Sequence, residues 1–165
     1  MLSRYRAPST TSIGACWRSG TAAQRARIPV LKGLLHYPMQ DVKDCSFLTI
    51  AHIAGASETP FFLEGLADKR TRKAYPMWAI EAAADQRAVP AVVDFVNIAL
   101  RKAGRAKPAD PGDAYISGLK YLARVGLNRP ECQSSIDLLK EAWANLPEGH
   151  RTALRSRPPS HTVPE

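Results

Sequence analysis

The chain has 165 residues and a formal net charge of +8, from 23 lysines and arginines against 15 aspartates and glutamates. This length fits about one domain with one modest hydrophobic core. Three widely spaced cysteines without a CxxC pair argue against a disulfide framework and a zinc module, and no apolar run is long enough to predict a transmembrane helix.

The first forty residues are basic and contain no acidic side chain. Their cations are Arg4, Arg6, Arg18, Arg25, Arg27 and Lys32, with serines and threonines between them. This composition is typical of a mitochondrial or plastid transit segment. We expect residues 1–40 to be a mitochondrial targeting segment or a retained arm that Trp17 anchors on a partner. The expected location is the mitochondrial matrix or the matrix face of the inner membrane.

From Asp41 onward, prolines stand where helices begin and glycines stand where helices end. Proline is tolerated in the first helical turn, and glycine suits the left-handed position after the last one. Together with apolar side chains at helical spacing, these signals predict an all-α fold, because no alternating run indicates a strand. The predicted helices span 41–54, 60–70, 76–88, 90–103, 112–125 and 131–146, with a short helix near 148–155.

The apolar stripes predict an array of antiparallel helical hairpins with extended terminal arms. The expected domains are the basic segment 1–40, a hairpin domain over 41–146, and a short helix with a Pro/Ser/Arg-rich tail over 147–165. The 90–103 helix is apolar on most of its surface, so we expect it at the centre. Trp78 and Trp143 fall on helices and are expected in the core.

One stretch resembles a pentatricopeptide-type repeat. In Ala114–Gly126, Tyr115 is followed four residues later by Leu119, and the helix ends with a basic residue and a glycine. A leucine-rich second helix follows in Ile136–Trp143. The resemblance implies a tetratricopeptide-like pair of helices. Two departures stand out: the connection after Gly126 is longer than in that family, and polar residues occupy the early small position of the second helix.

The basic leader and the six or seven helices together resemble the small accessory subunits on the F1 sector of euglenozoan mitochondrial ATP synthase. This resemblance implies a non-catalytic subunit that contacts other subunits of a multiprotein complex. It implies no cofactor and no metal.

Two basic clusters are candidates for partner contact. They are Lys69, Arg70, Arg72 and Lys73 at the end of the second helix, and Arg101, Lys102, Arg105 and Lys107 at the end of the fourth. Cations are also expected at helix C-termini because of the helix dipole. The clusters could otherwise contact an acidic protein surface or the phosphates of RNA. Because of the RNA interpretation, the alternative function is a mitochondrial ribosomal or RNA-processing protein. Residues 41–165 carry only two more basic than acidic side chains, which weakens that alternative.

No catalytic motif is recognisable. Cys45 and His52 share one face of the first helix, and they could form a thiol–imidazole pair. Their seven-residue spacing places them too far apart for a direct hydrogen bond, which favours a structural role. There is no phosphate-binding loop, dinucleotide fingerprint, hydrolase elbow or paired-histidine motif. We therefore predict no catalytic, cofactor-binding or metal-binding residue.

Overall fold

The structure, a computed structural model, describes residues 21–103, 114–126 and 129–155. These residues form α-helices and short 3-10 turns, and no strand occurs among them, which confirms the all-α fold class. The helices are α1 (Ala22–Arg25), α2 (Ile28–Gly33), α3 (Gln40–Ala54), α4 (Thr59–Ala67), α5 (Ala74–Ala83), α6 (Val89–Ala103), α7 (Ala114–Val125), α8 (Gln133–Ala142) and α9 (Glu148–Arg155).

Local backbone chemistry sets the helix ends. α3 stops at Gly55, which has a φ of 54° and fits the predicted glycine end. α5 ends at Ala83 and not at residue 88, because Ala84 adopts the left-handed conformation with a φ of 52°. The Asp85 carboxylate then accepts a hydrogen bond from the Arg87 N–H at 3.0 Å and starts a separate 3-10 turn. An alanine in this conformation costs about 1–2 kcal/mol, so a left-handed residue is not expected at an alanine.

Part of the predicted segment 1–40 is helical. α2 packs against α3 and reaches the core through Ile28 and Leu31. Lys32 forms a salt bridge of 2.7 Å with Glu58 in the turn after α3. The domain boundary after residue 40 stays a prediction.

The longer helices form two layers. Arg72, just before α5, lies 3.3 Å from the carboxylate of Asp44 near the start of α3. Near the other end, Arg124 of α7 donates to the main-chain carbonyl of Glu81 in α5. These contacts show that α3, α5 and α7 run in one direction. The chain returns between them, so α4 packs antiparallel on α5 and α6 antiparallel on α7, which confirms the array of antiparallel helical hairpins. α8 packs beside α6 in the same layer.

Large side chains fill the space between the layers. Phe47 stacks on Phe61 with ring centroids 5.3 Å apart, and it is fully buried. Other fully buried side chains are Ile50, Phe62, Met77, Val92, Val96, Tyr115 and Tyr121. Their burial supplies the main favourable contribution to folding.

Two predictions about burial are wrong. α5 and not α6 is the central helix, since α5 packs against α3, α4 and α7, whereas Ile98 of α6 is 54% exposed. Trp78 lies on the outer face of α5, 36% exposed, with its ring edge against Tyr75 at 5.0 Å between centroids. An apolar side chain on a helix can remain at the surface because polar residues are too few to cover it.

Hydrogen bonds join the connections at one end of the array. Arg87, between α5 and α6, donates to the carbonyl of Ala56, between α3 and α4, at 2.7 Å. Arg129, before α8, donates to the side chain of Gln86 at 2.8 Å. The α3–α4, α5–α6 and α7–α8 connections are therefore tied together at this end.

We expect the stability of this end to depend on pH through Asp85. A hydrogen bond from the Arg87 side chain lowers the pKa of Asp85 from 3.8 to about 2. The pKa of Asp85 is lower in the folded protein than in the unfolded chain. The stability that the Asp85–Arg87 pair contributes is therefore complete above about pH 4 and is lost as the pH falls through about 2.

Urea unfolding of the wild type and the Asp85→Asn variant, measured between about pH 6 and pH 2, tests this expectation. The difference in unfolding free energy should be constant at the upper end and shrink as the pH falls below about 4. A difference that does not change with pH would show that the Asp85–Arg87 pair does not contribute in this way.

Candidate functional site

The first basic cluster lies in the connection between α4 and α5 and not at a helix end. α4 stops at Ala67, before the predicted residue 70. The carboxylate of Asp68 accepts hydrogen bonds from the Arg70 N–H at 3.0 Å and the Thr71 hydroxyl at 3.1 Å. Such local bonds compete with the helix and end it. The cluster consists of Lys69, Arg70, Arg72 and Lys73.

Two of these four cations are used inside the fold. Arg72 pairs with Asp44, whose side chain is 1% exposed. Lys73 donates to a main-chain carbonyl at the end of α4, and burial lowers the pKa of Lys73. Lys69 and Arg70 are exposed, with 94% of the Arg70 side chain accessible. Lys69 and Arg70 are thus the most accessible cations of this cluster that do not hold a buried carboxylate, although Arg70 also lies 3.7 Å from Asp68 and the Arg72 side chain is 59% exposed.

The second cluster lies at the C-terminus of α6. Arg101 and Lys102 are exposed there, and neither has an ion pair within the described ranges. α4 and α6 run in the same direction, so the two clusters lie at the same end of the array. We call Lys69, Arg70, Arg101 and Lys102 the basic end. The predicted contact residues Arg105, Lys107 and Trp17 lie outside the described residues.

Groups that could support chemistry are sparse. Across residues 21–103, 114–126 and 129–155, no set of three or more His, Cys, Asp or Glu side chains could hold a metal ion. Cys45 and His52 are both on the exposed face of α3. Cys132 is 2% exposed, and burial raises the pKa of its thiol.

This difference in burial predicts a difference in reactivity between two cysteines. Because the thiolate is the reactive form, iodoacetamide at about pH 8 should modify Cys45 in the native protein well before Cys132. Peptide mass spectrometry after timed quenching measures both rates. In urea the two rates should converge. Equal rates in the native protein would contradict the burial of Cys132.

A groove with a volume of about 450 Å³ lies between α7 and α8. We call it the α7–α8 groove. Its apolar wall is formed by Leu119, Leu122, Ile136, Leu139, Trp143 and Leu154. This volume lies within the ~300–1,000 Å³ of typical ligand sites. The groove is therefore a candidate binding surface.

The charged residues around the groove are mostly basic. Lys120 and Arg124 of α7 line it, together with Glu81 of α5. The guanidinium of Arg155 lies over the ring of Trp143, 5.5 Å from its centroid, and also lies 3.6 Å from the carboxylate of Glu148. The groove therefore has more positive than negative charge at its edge.

Polar contacts early in α8 explain why the groove is open. The Ser135 hydroxyl donates to Asn97 Oδ1 of α6 at 2.7 Å, and Asn97 Nδ2 donates to the Ser134 hydroxyl at 3.0 Å. α8 is thereby held on α6, and its apolar stripe is only partly covered by α7. From sequence, these stripes were expected to bury one another. The two signals that pointed elsewhere were the longer connection after Gly126 and the early polar residues of α8.

Comparisons with protein-family models, with curated proteins and with solved structures give no match to this chain. None of the helices in the described residues is long and apolar enough to cross a membrane.

Proposed function

We propose that this chain is a non-catalytic accessory subunit of a large mitochondrial complex and acts through protein–protein contacts. The observation that carries the proposal is the α7–α8 groove, where apolar side chains of two helices face an open space of about 450 Å³. Concave, mostly apolar surfaces with a few polar groups are common binding sites in folded proteins.

The mitochondrial location rests on the acid-free, Arg- and Ser-containing composition of residues 1–40. ATP synthase is the preferred complex, because the helical-hairpin array and the chain size resemble its small F1-associated subunits in euglenozoans. Its partners would then be neighbouring protein subunits of that complex, in the matrix or at the matrix face of the inner membrane.

Purification of the tagged full chain from mitochondria tests this function. The proposal predicts that F1 subunits co-purify in a fixed ratio and stay bound after ribonuclease treatment, as quantified by mass spectrometry. A tagged chain that is recovered alone, or outside mitochondria, would contradict it.

A second candidate function is a mitochondrial ribosomal or RNA-processing role, which the basic end favours. Lys69, Arg70, Arg101 and Lys102 are exposed at the same end of the array. If all four contacted phosphates of single-stranded RNA, the logarithm of the affinity would fall with the logarithm of salt concentration with a slope of about −3. A titration of the full chain with a labelled RNA at several salt concentrations measures this slope. A slope near zero would exclude the second candidate.

A further inference from the structure

We infer that the α7–α8 groove binds an amphipathic helix of a partner subunit, and that this helix carries acidic residues beside its apolar stripe. The inference rests on the proposed function, because it names the partner surface that the accessory subunit would recognise.

The shape of the groove favours a helix. Leu119 and Leu122 are three residues apart on α7, and Ile136 and Leu139 are three residues apart on α8. Residues at this spacing lie on one face of a helix and form ridges into which another helix can pack. Amphipathic helices bind such grooves through side chains at i, i+3 or i+4, and i+7.

The volume of the groove is large enough for several apolar side chains of a partner helix. A cavity of about 150 Å³ holds one benzene molecule, so the groove can hold roughly three large apolar groups. Three groups correspond to about two turns of an amphipathic stripe. A partner that buries this many side chains gains most of its affinity from apolar contact.

The layer arrangement also favours a helix at this position. α4 packs directly on α5, and α6 packs directly on α7. α8 departs from this arrangement, since Asn97 holds its first turn on α6. An added helix between α7 and α8 would cover the stripe that residues 21–103, 114–126 and 129–155 leave accessible.

Charge defines the flank of the partner helix. Lys120 and Arg124 line the groove, and Arg155 lies over Trp143. Arg124 donates to the carbonyl of Glu81, and a carbonyl carries no net charge, so the positive charge of Arg124 is not neutralised by that bond. Glu81, which also lines the groove, and Glu148, which pairs with Arg155 at 3.6 Å, offset two of the three cations and leave an excess of one positive charge. The excess favours glutamates or aspartates beside the apolar stripe and disfavours lysines there.

A pair of synthetic helices can test the inference. One peptide of about 18 residues has leucines at i, i+3, i+4 and i+7 with flanking glutamates, and its twin has lysines in place of the glutamates. Fluorescence anisotropy of each labelled peptide is measured against the full chain. The glutamate peptide should bind saturably, and the lysine peptide should bind more weakly.

Variants then locate the binding site. Lys120→Glu should weaken binding of the glutamate peptide by about three- to thirtyfold, because an attraction becomes a repulsion. The same change should strengthen binding of the lysine peptide. Leu139→Asp should abolish saturable binding, and circular dichroism shows whether this variant is folded. Ile98→Asp changes an exposed apolar residue of α6 that does not line the groove, so it should bind as the wild type does.

Equal binding of the two peptides, or no response to Lys120→Glu, would overturn the inference. Its failure is distinguishable from failure of the proposed function. If the wild type and Lys120→Glu enter a mitochondrial complex equally well and the peptides do not discriminate, the groove assignment falls while the function stands. If the wild type enters no complex, the proposed function fails whatever the peptides do.

Discussion

Truncation of Tyr121 to alanine should lower the free energy of unfolding by about 3–5 kcal/mol, the range for large aromatic side chains in a core. Tyr121 is fully buried on α7, and its hydroxyl donates to the main-chain carbonyl of Asp85. Burial, the main cause, raises the pKa of Tyr121 to about 12, so the hydroxyl stays a donor at neutral pH. The variant loses apolar contact and leaves a carbonyl without its partner.

Two further variants separate these contributions. Tyr121→Phe keeps the ring and removes the hydroxyl, so its free energy of unfolding should be about 1–3 kcal/mol lower than that of the wild type. Tyr37→Ala removes a tyrosine that is 47% exposed and should change stability by less than about 0.5 kcal/mol. Urea unfolding followed by circular dichroism gives all three values. If Tyr121→Ala behaved like Tyr37→Ala, the packing of α7 on the α5–α6 connection would be wrong.

Gly118→Ala should be the second large perturbation, because Gly118 allows α7 to approach its neighbours closely. A Cβ atom there would lie 2.6 Å from Val96 Cγ2 and 3.5 Å from Met77 Sδ. Val96 is fully buried and, as a β-branched residue in a helix, has essentially one side-chain rotamer. The added methyl group therefore forces a backbone shift, with a packing cost of about 1–3 kcal/mol.

Alanine also favours the helix over glycine by about 1 kcal/mol, which opposes this cost. Gly149→Ala is the matched control, since Gly149 is an exposed residue of α9 and no packed atom lies within 4 Å of the added Cβ. The unfolding free energy of Gly118→Ala should be lower than that of Gly149→Ala by about 1–3 kcal/mol. Equal values for the two variants would mean that α6 and α7 are not in close contact.

Local signals in the sequence predicted most helix positions. The turn at Gly55 follows from the conformational freedom of glycine, and the stripe in α7 follows from helical periodicity. The left-handed Ala84 could not be predicted this way. Its conformation depends on the surrounding fold, including the hydrogen bond from the Tyr121 hydroxyl to the main-chain carbonyl of Asp85.

The basic clusters illustrate a second limit of sequence reasoning. Charge runs identified Arg72 and Arg70 equally, but only Arg72 meets the buried carboxylate of Asp44, which is 28 residues away in sequence. Such a long-range pair has no local pattern. Arg72 therefore contributes to the fold although 59% of its side chain is exposed, whereas the Arg70 side chain is 94% exposed.

The groove shows the same limit for apolar residues. Periodicity placed Leu119, Leu139 and Trp143 on helix faces, but it did not give the separation of those faces. That separation depends on Asn97, which binds Ser135 across 38 positions of sequence. A polar pair between α6 and α8 thus determines where apolar surface stays accessible.

The proposed function places this chain in a larger mitochondrial assembly. The most direct test is native electrophoresis of gently solubilised mitochondria, with an antibody against the chain and a stain for F1 ATPase activity on the same lane. The account predicts a single band that coincides with F1-containing particles. Migration as a free chain of 18.1 kDa, with F1 elsewhere in the lane, would contradict it.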